Sequence, residues 1–359
     1  MEKDYKMSLQ TQYKKFADAI ALTRESQNYK DAREKDDLIT PKIETAFKEK
    51  GYKVDSNFLQ GSLATHTGII PLDGDYDIDR AIAITKESSP KNPIEPKKIV
   101  KDVLLNHGFK EPKIKKPCVT ADYKTKPIHI DYPIYRIDVL GNYQLAVGKE
   151  NSDENNRSWG DSAPKELVNW ITSDKNHQSW VGEKLSTEER SQFYRLVRYI
   201  KRWRDEKYAQ ESERKKVYSI ALTVMMKESF KPCLDSDTGK ADDHVALKDT
   251  LDVLLNNKSY FQYAGDDIYN ISVQLPVTPY KDIFSENSKK VGTLLKKRLE
   301  KLLDILKEVE AKKTLKEKTE LLQKHFGNDF PVAEDSKNHK SEGRVTAATG
   351  GLVGVSGGA

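Results

Sequence analysis

The stretch that decides the fold reads Leu59-Gln60-Gly61-Ser62-Leu63-Ala64-Thr65-His66-Thr67 and, shortly after, Gly74-Asp75-Tyr76-Asp77-Ile78-Asp79-Arg80-Ala81-Ile82-Ala83-Ile84. A glycine and a serine stand between an apolar strand end and a helix start. Backbone N–H groups left unpaired there, with a hydroxyl beside them, suit the binding of phosphate oxygens. In the second piece Asp77 and Asp79 are two apart, so a strand projects both carboxylates from one face and sends Ile78 to the other. Adjacent carboxylates repel, and a hard divalent cation with oxygen ligands, Mg²⁺ above all, offsets that repulsion. A Gly-Ser turn alone is an ordinary turn and an acidic cluster alone an ordinary loop; in this order they point to phosphoryl chemistry. A third carboxylate, Asp131, lies within Ile128-His129-Ile130-Asp131-Tyr132-Pro133-Ile134, where an unpaired acid among apolar neighbours is costly.

Working outward, residues 1–50 carry apolar positions such as Phe16, Ile20, Ile39, Ile43 and Phe47 within charged surroundings, which predicts two amphipathic helices as a lead-in. Residues 51–163 alternate strand-sized apolar runs with a helix near Lys97–His107 that Gly108 ends, which predicts a sheet lobe. Residues 164–330 return to helical periodicity. There Leu295, Leu299, Leu302, Leu306 and Val309 predict a stripe facing a core. Residues 331–359 include six glycines and no aromatic residue, and we expect a disordered glycine-rich tail.

The whole chain has 359 residues, 33% of them charged, with 4 Trp, 17 Tyr and 10 Phe, which predicts a folded protein rather than a disordered one. No apolar run approaches the roughly 20 residues of a membrane span, and the N-terminus lacks a signal-peptide pattern, so a cytoplasmic location and no membrane partner are expected. Cys118 and Cys233 are far apart, with no spacing for a disulfide framework or a zinc site. A net charge of +5 is mild for a dedicated nucleic-acid binder and suits anionic small substrates equally. No Walker A or GxGxxG sequence is present. By themselves Lys201 reads as a solvated helix lysine, Ser219 as a helix N-cap, His129 as a core residue, His66 as a surface helix residue, and Trp159, Trp170 and Trp180 as core or interface.

Gln60-Gly61-Ser62, Tyr76-Asp77-Ile78-Asp79 and His129-Ile130-Asp131-Tyr132-Pro133-Ile134-Tyr135 together resemble the polymerase β-like nucleotidyltransferases, and among these the bacterial CD-NTases, relatives of cyclic GMP-AMP synthase. Arg195–Trp203, Tyr218–Leu222, Leu275–Asp282 and His325–Pro331 also resemble that family, so the likeness covers most of residues 54–331. It implies an α+β fold in which a nucleotidyltransferase sheet lobe packs on a helical lobe, with the active-site cleft between them. It further implies Asp77, Asp79 and Asp131 as catalytic ligands of two Mg²⁺ (or Mn²⁺) ions. Gln60, Gly61, Ser62, Lys201 and Ser219 would bind nucleotide. The implied reaction condenses ribonucleoside triphosphates, ATP and/or GTP, into a cyclic di- or trinucleotide messenger of anti-phage defence, with release of pyrophosphate. A linear oligonucleotide or RNA-end transferase, and a catalytically idle nucleotide-binding module, are the alternatives. The resemblance also implies a ubiquitin-like conjugation enzyme acting on Ala359, since small terminal residues leave the backbone unobstructed. No zinc-spaced Cys/His cluster accompanies the motifs, so DNA activation is not expected; a monomer is.

Overall fold

The computed structural model describes residues 2–72, 76–123, 128–285 and 288–334. Its elements are, in order, α1 (Glu2–Ile20), α2 (Gln27–Glu49), β1 (Val54–Leu59), α3 (Gly61–Ala64), β2 (Tyr76–Thr85), α4 (Ile94–Asn106), β3 (Lys113–Ile114), β4 (Val119–Tyr123), β5 (Ile128–Tyr132), β6 (Ile134–Ile137), β7 (Tyr143–Val147) and β8 (Ser158–Ser162). They continue with α5 (Pro164–Thr172), α6 (Thr187–Lys207), α7 (Glu211–Arg214), α8 (Ser219–Ser229), α9 (Asp243–Asn256), β9 (Phe261–Tyr263), β10 (Tyr269–Ile271), α10 (Ser288–Ala311) and α11 (Leu315–Phe326). No described helix is long and apolar enough to cross a membrane.

The sheet is organised around β2. The N-terminal half of β2 pairs in parallel with β5 and its C-terminal half in parallel with β6, while β1 runs antiparallel along the opposite edge. The apolar run over Ile128–Ile134, strand-sized in the sequence, is therefore divided between two strands. Pro133 has no N–H to donate and interrupts the ladder, and its carbonyl accepts from Ile82 N at 3.1 Å. Strands β4 and β3 extend the sheet from β5, and β7 and β8 extend it from β6.

Side-chain alternation gives β2 two different faces. Ile78, Ile82 and Ile84 point to the back, where Ile39, Ile43 and Phe47 of α2 and Val100 and Leu104 of α4 cover them in one buried cluster. Ala81 and Ala83 belong to a separate small cluster with Tyr135 and Tyr143. The helical lobe has its own core of α6, α8, α9, α10 and α11 residues, and Tyr13, Phe16 and Ile20 of α1 are buried in it. The lead-in of residues 1–50 is thus not one unit: α1 belongs to the helical core and α2 to the back of the sheet. The leucine stripe is buried as expected, with Leu295, Leu299, Leu306 and Val309 at 0% exposure. A new helix starts at the Thr314 capping box, whose hydroxyl accepts from Glu317 N. Of the tail expected after Phe330, only 331–334 are described, and Ala359 lies outside the described residues.

Candidate active site

The Gly-Ser turn is fastened directly to the acidic strand. Gln60 N donates to the Asp79 carbonyl at 3.0 Å, and the Tyr135 hydroxyl of β6 donates to Gln60 Oε1 at 3.0 Å. Gly61 follows at φ +71°, and a Cβ built on it would overlap the Asp79 carboxylate. Glycine is required on both counts, since the left-handed region disfavours side chains and no room exists for one. Ser62 is in the single turn of α3, and its carbonyl accepts from Thr67 N at 2.9 Å.

Asp79 and Asp131 are register partners on β2 and β5, as are Asp77 and His129. Asp79 is held far above the usual carboxylate range, at about 7, first by burial and then by the negative charges of Asp131 and Asp77, with Lys115 opposing. The Thr120 hydroxyl donates to Asp131 Oδ1, and Lys115 Nζ lies 3.9 Å from the same oxygen. Among the described residues, no three His, Cys, Asp or Glu side chains are drawn together as a preformed metal cage. Like charge keeps carboxylates apart unless a cation intervenes. The donors are oxygen only and mutually repelling, which fits a hard divalent ion such as Mg²⁺ or Mn²⁺.

The helical lobe presents α6 and α8 to this strand. Lys201 is not the solvated residue its basic surroundings suggest: it is 4% exposed, and its Nζ donates to the carbonyl and hydroxyl oxygens of Thr67 at 3.0 and 2.9 Å. Arg198 donates to the His66 carbonyl at 2.8 Å and Arg202 to the Ile70 carbonyl at 2.7 Å, so three α6 cations grip the segment that follows α3. Ser219 is the first residue of α8, and Tyr218, not Ser219, occupies the N-cap. Its hydroxyl oxygen accepts from Arg204 Nη1 at 2.7 Å.

Two cavities meet at these residues. One, of about 420 Å³, is largely apolar and includes Asp79, Tyr135, Leu167, Val168, Leu275 and Val277 in its walls. The other, of about 410 Å³, is charged: Asp77, Asp131, His129, Lys115, Arg204 and Lys215 line it. Ser62, Lys201 and Ser219 line both. Gln60 and Gly61 line the apolar one, so each of the eight described candidates lines one or both of the two cavities. His129 is half-buried in the charged cavity with its Nδ1 2.5 Å from Asp122 Oδ1, and is not the core residue expected. His66 lies just past α3, with its ring against Tyr194, and Trp180 is fully exposed. Sequence reasoning missed Arg204, whose signal was its place three residues after Lys201 on one helix face. Lys115 carried no signal, since surface lysines are common in its neighbourhood.

Residues 56–135 match the family model described as "Cyclic GMP-AMP synthase DncV-like, nucleotidyltransferase domain". A cyclic GMP-AMP synthase of Escherichia albertii is 30% identical over 190 residues, which cover 50% of this chain and 38% of that relative. The chain thus spans well under half the length of that curated relative. Among solved structures, the Bradyrhizobium diazoefficiens CD-NTase CdnG in complex with GTP superposes with a TM-score of 0.63 at 14% identity, over 89% of this chain and 95% of that one. E. coli MS115-1 CdnC with ATP gives 0.61 at 16% identity, over 89% and 98%. The Vibrio cholerae DncV cyclic AMP-GMP synthase gives 0.57 at 18% identity, over 92% and 89%.

Proposed function

We infer that this chain, a CD-NTase by its fold and by the sequence of residues 56–135, joins ribonucleoside triphosphates into a cyclic di- or trinucleotide and releases pyrophosphate. ATP and GTP are the proposed substrates, following the nucleotides bound in CdnC and CdnG. A messenger role in anti-phage defence rests on the family resemblance.

The observation that carries the reading is the shared wall. Two cavities of similar size adjoin along Ser62, Lys201 and Ser219, and the three carboxylates border them from the sheet side, Asp79 on one and Asp77 and Asp131 on the other. Room for a nucleotide in each of two adjoining cavities that share this acidic face is what a condensation of two nucleotides needs. Ser62 and Ser219 offer hydroxyls to donor phosphates, Lys201 offers an ammonium, and Arg204 fixes the Ser219 oxygen so that its proton is directed elsewhere. Asp77, Asp79 and Asp131 would hold the divalent ions, which when bound acidify the acceptor ribose hydroxyl and neutralise the departing pyrophosphate. The apolar walls around Leu167, Val168 and Val277 exclude water from a base and favour its burial.

The test is incubation with all four ribonucleoside triphosphates and Mg²⁺ or Mn²⁺, then phosphatase treatment and mass spectrometry with and without nuclease P1. A phosphatase-resistant product of cyclic mass is expected. A phosphatase-sensitive ladder would replace the cyclic reading with a linear one, and no pyrophosphate release under any condition would favour an idle binding module.

A further inference from the structure

A buried carboxylate of α2, far from either cavity wall in sequence, is tied to the catalytic strands from behind. Asp36 is 0% exposed. Its Oδ2 accepts from Arg80 Nε at 2.7 Å, from Arg80 Nη2 at 2.5 Å and from Arg33 Nη1 at 2.9 Å, and its Oδ1 accepts from Thr40 Oγ1 at 2.8 Å. Arg80 is the residue after Asp79, and its remaining nitrogen, Nη1, donates to Asn57 Oδ1 of β1 at 3.0 Å. Burial pushes the Asp36 carboxyl up to about 6, and Thr40, Arg33 and, least, the hydroxyl of Tyr132, the residue after Asp131, act against it to favour the charged form. Tyr132 itself is fully buried.

Strand alternation gives this arrangement its meaning. Asp79 and Asp131 are register partners on one face of adjoining strands, so Arg80 and Tyr132 follow them onto the opposite face, where α2 packs. Resting on the reading of the site given above, we propose that Asp36 is a positioning residue: by holding Arg80 and Tyr132 to one point behind the sheet, it sets the separation of the Asp79 and Asp131 carboxylates for the divalent ions. The opposing force follows from the register, since Asp79 and Asp131 are partners on adjoining strands and Asp77, two residues from Asp79, shares their face, so three like charges stand together. Repulsion on the front face pushes the strands apart, and directional bonds on the back resist it. Packing alone does not call for this device. A buried ion pair costs desolvation, and apolar side chains of similar volume often match it in stability, whereas charge-assisted bonds fix geometry.

Metal binding is the readout that separates positioning from plain stability. Mn²⁺ alone is titrated into the protein and followed by electron paramagnetic resonance, with melting temperature and circular dichroism as fold controls. Asp36→Asn should weaken Mn²⁺ binding by up to about tenfold, the lower end of the loss seen when a group bonded directly to a ligand is removed, since Asp36 acts through Arg80 and Tyr132. In turnover it should raise the Mg²⁺ concentration for half-maximal activity, while KM for nucleotide at saturating Mg²⁺ stays within about twofold of wild type. Tyr132→Phe deletes one hydroxyl, keeps the core volume and should weaken Mn²⁺ in the same direction by a smaller factor; it decides the matter if Asp36→Asn does not fold. Unchanged Mn²⁺ affinity in folded Asp36→Asn or, failing that, in Tyr132→Phe overturns the positioning role, provided Asp77→Asn and Asp131→Asn lose the ion. If those two bind Mn²⁺ as wild type does, the reading of the site itself has failed, and the positioning role with it.

Discussion

The Lys201 ammonium of α6 donates to both oxygens that Thr67 offers, its carbonyl at 3.0 Å and its hydroxyl at 2.9 Å, and so joins the helical lobe to the segment that follows the Gly-Ser turn. No carboxylate bonds to this cation among the described contacts. Burial first, then the neighbouring Arg204 and Arg198, pull its pKa down to about 7, with Asp205 opposing. A triphosphate arriving at the shared wall would supply the missing negative charge and pull the proton back on.

The first prediction follows from that linkage. Between pH 7 and 9 the free protein progressively loses the Lys201 proton and must regain it on binding, so affinity for a non-hydrolysable triphosphate should fall by up to about tenfold per pH unit. Calorimetry in buffers of differing ionisation enthalpy should show proton uptake at pH 8. The sign for stability is opposite. Because the native pKa lies below the ordinary lysine value, the unfolded chain binds the extra proton between about 7 and 10.5, and Lys201 makes the fold more stable as pH rises through that window. Lys201→Met should remove most of the proton uptake at pH 8 and leave weak binding that depends less on pH, the remainder coming from Asp79, itself held at about 7; uptake at the wild-type level that survives this change would assign the linkage elsewhere.

Gly61→Ala makes a second case, because strain and function separate. Placing a side chain at φ +71° costs about 1–2 kcal/mol, and the new methyl must displace the Asp79 carboxylate or the turn itself. We expect a melting temperature lower by a few degrees and nucleotide incorporation reduced by at least about a hundredfold, as a displacement near 1 Å at a reacting centre can cause. Steady-state rates beside thermal melts decide it, and activity falling only in proportion to unfolded protein would refute the placement.

Arg204 and Ser219 form the third. Arg204 Nη1 donates to both Ser219 Oγ at 2.7 Å and the Val217 carbonyl at 3.0 Å, so the arginine fixes the start of α8 as well as the hydroxyl. Arg204→Gln and Ser219→Ala should each weaken triphosphate binding. The double change should be less harmful than the sum, with a coupling of about 1 kcal/mol, since each single change removes the same oriented hydroxyl. Additive losses would mean that the two residues act independently.

The legible parts of this site were those that local spacing encodes. Asp77 and Asp79 could be placed on one strand face because the strand period is two, and Gly61-Ser62 could be set beside a helix start because turn chemistry is local. Burial of Lys201 was illegible for a physical reason. Its helix carries Arg195, Arg198, Arg202 and Arg204, which reads as a solvated face, yet the segment 66–70 of the other lobe closes over it through contacts more than 130 residues apart in sequence. Asp36 was hidden in the same way: it stands in an acidic and basic run of α2, and only the fold brings it behind Asp79 and Asp131. The break at Pro133 was readable from the missing donor, but the apolar run around it concealed that two strands share β2 as their neighbour.

The last prediction sets stability against activity at Asp79. Its carboxyl is held at about 7 by burial and by Asp131 and Asp77, which means that the native fold disfavours the charged form. At pH 8 without divalent ions the group is mostly charged, so the fold carries the cost of an ion that the unfolded chain would solvate freely. Asp79→Asn keeps the shape and removes the charge, and in metal-free buffer at pH 8 it should raise the melting temperature by several degrees, since the raised pKa is worth a few kcal/mol and about 1 kcal/mol moves a chain of this size by roughly 1–1.5 degrees. The same protein should incorporate no nucleotide, because a ligand of the ions is gone. Mg²⁺ should then stabilise wild type and not the variant, so the gap between the two melts narrows as the ion is added. Scanning calorimetry over a Mg²⁺ series tests all of this together. A variant that melts below wild type in the absence of metal would show that Asp79 is held by its partners rather than strained by them, and the repulsive account of the three carboxylates would have to be given up.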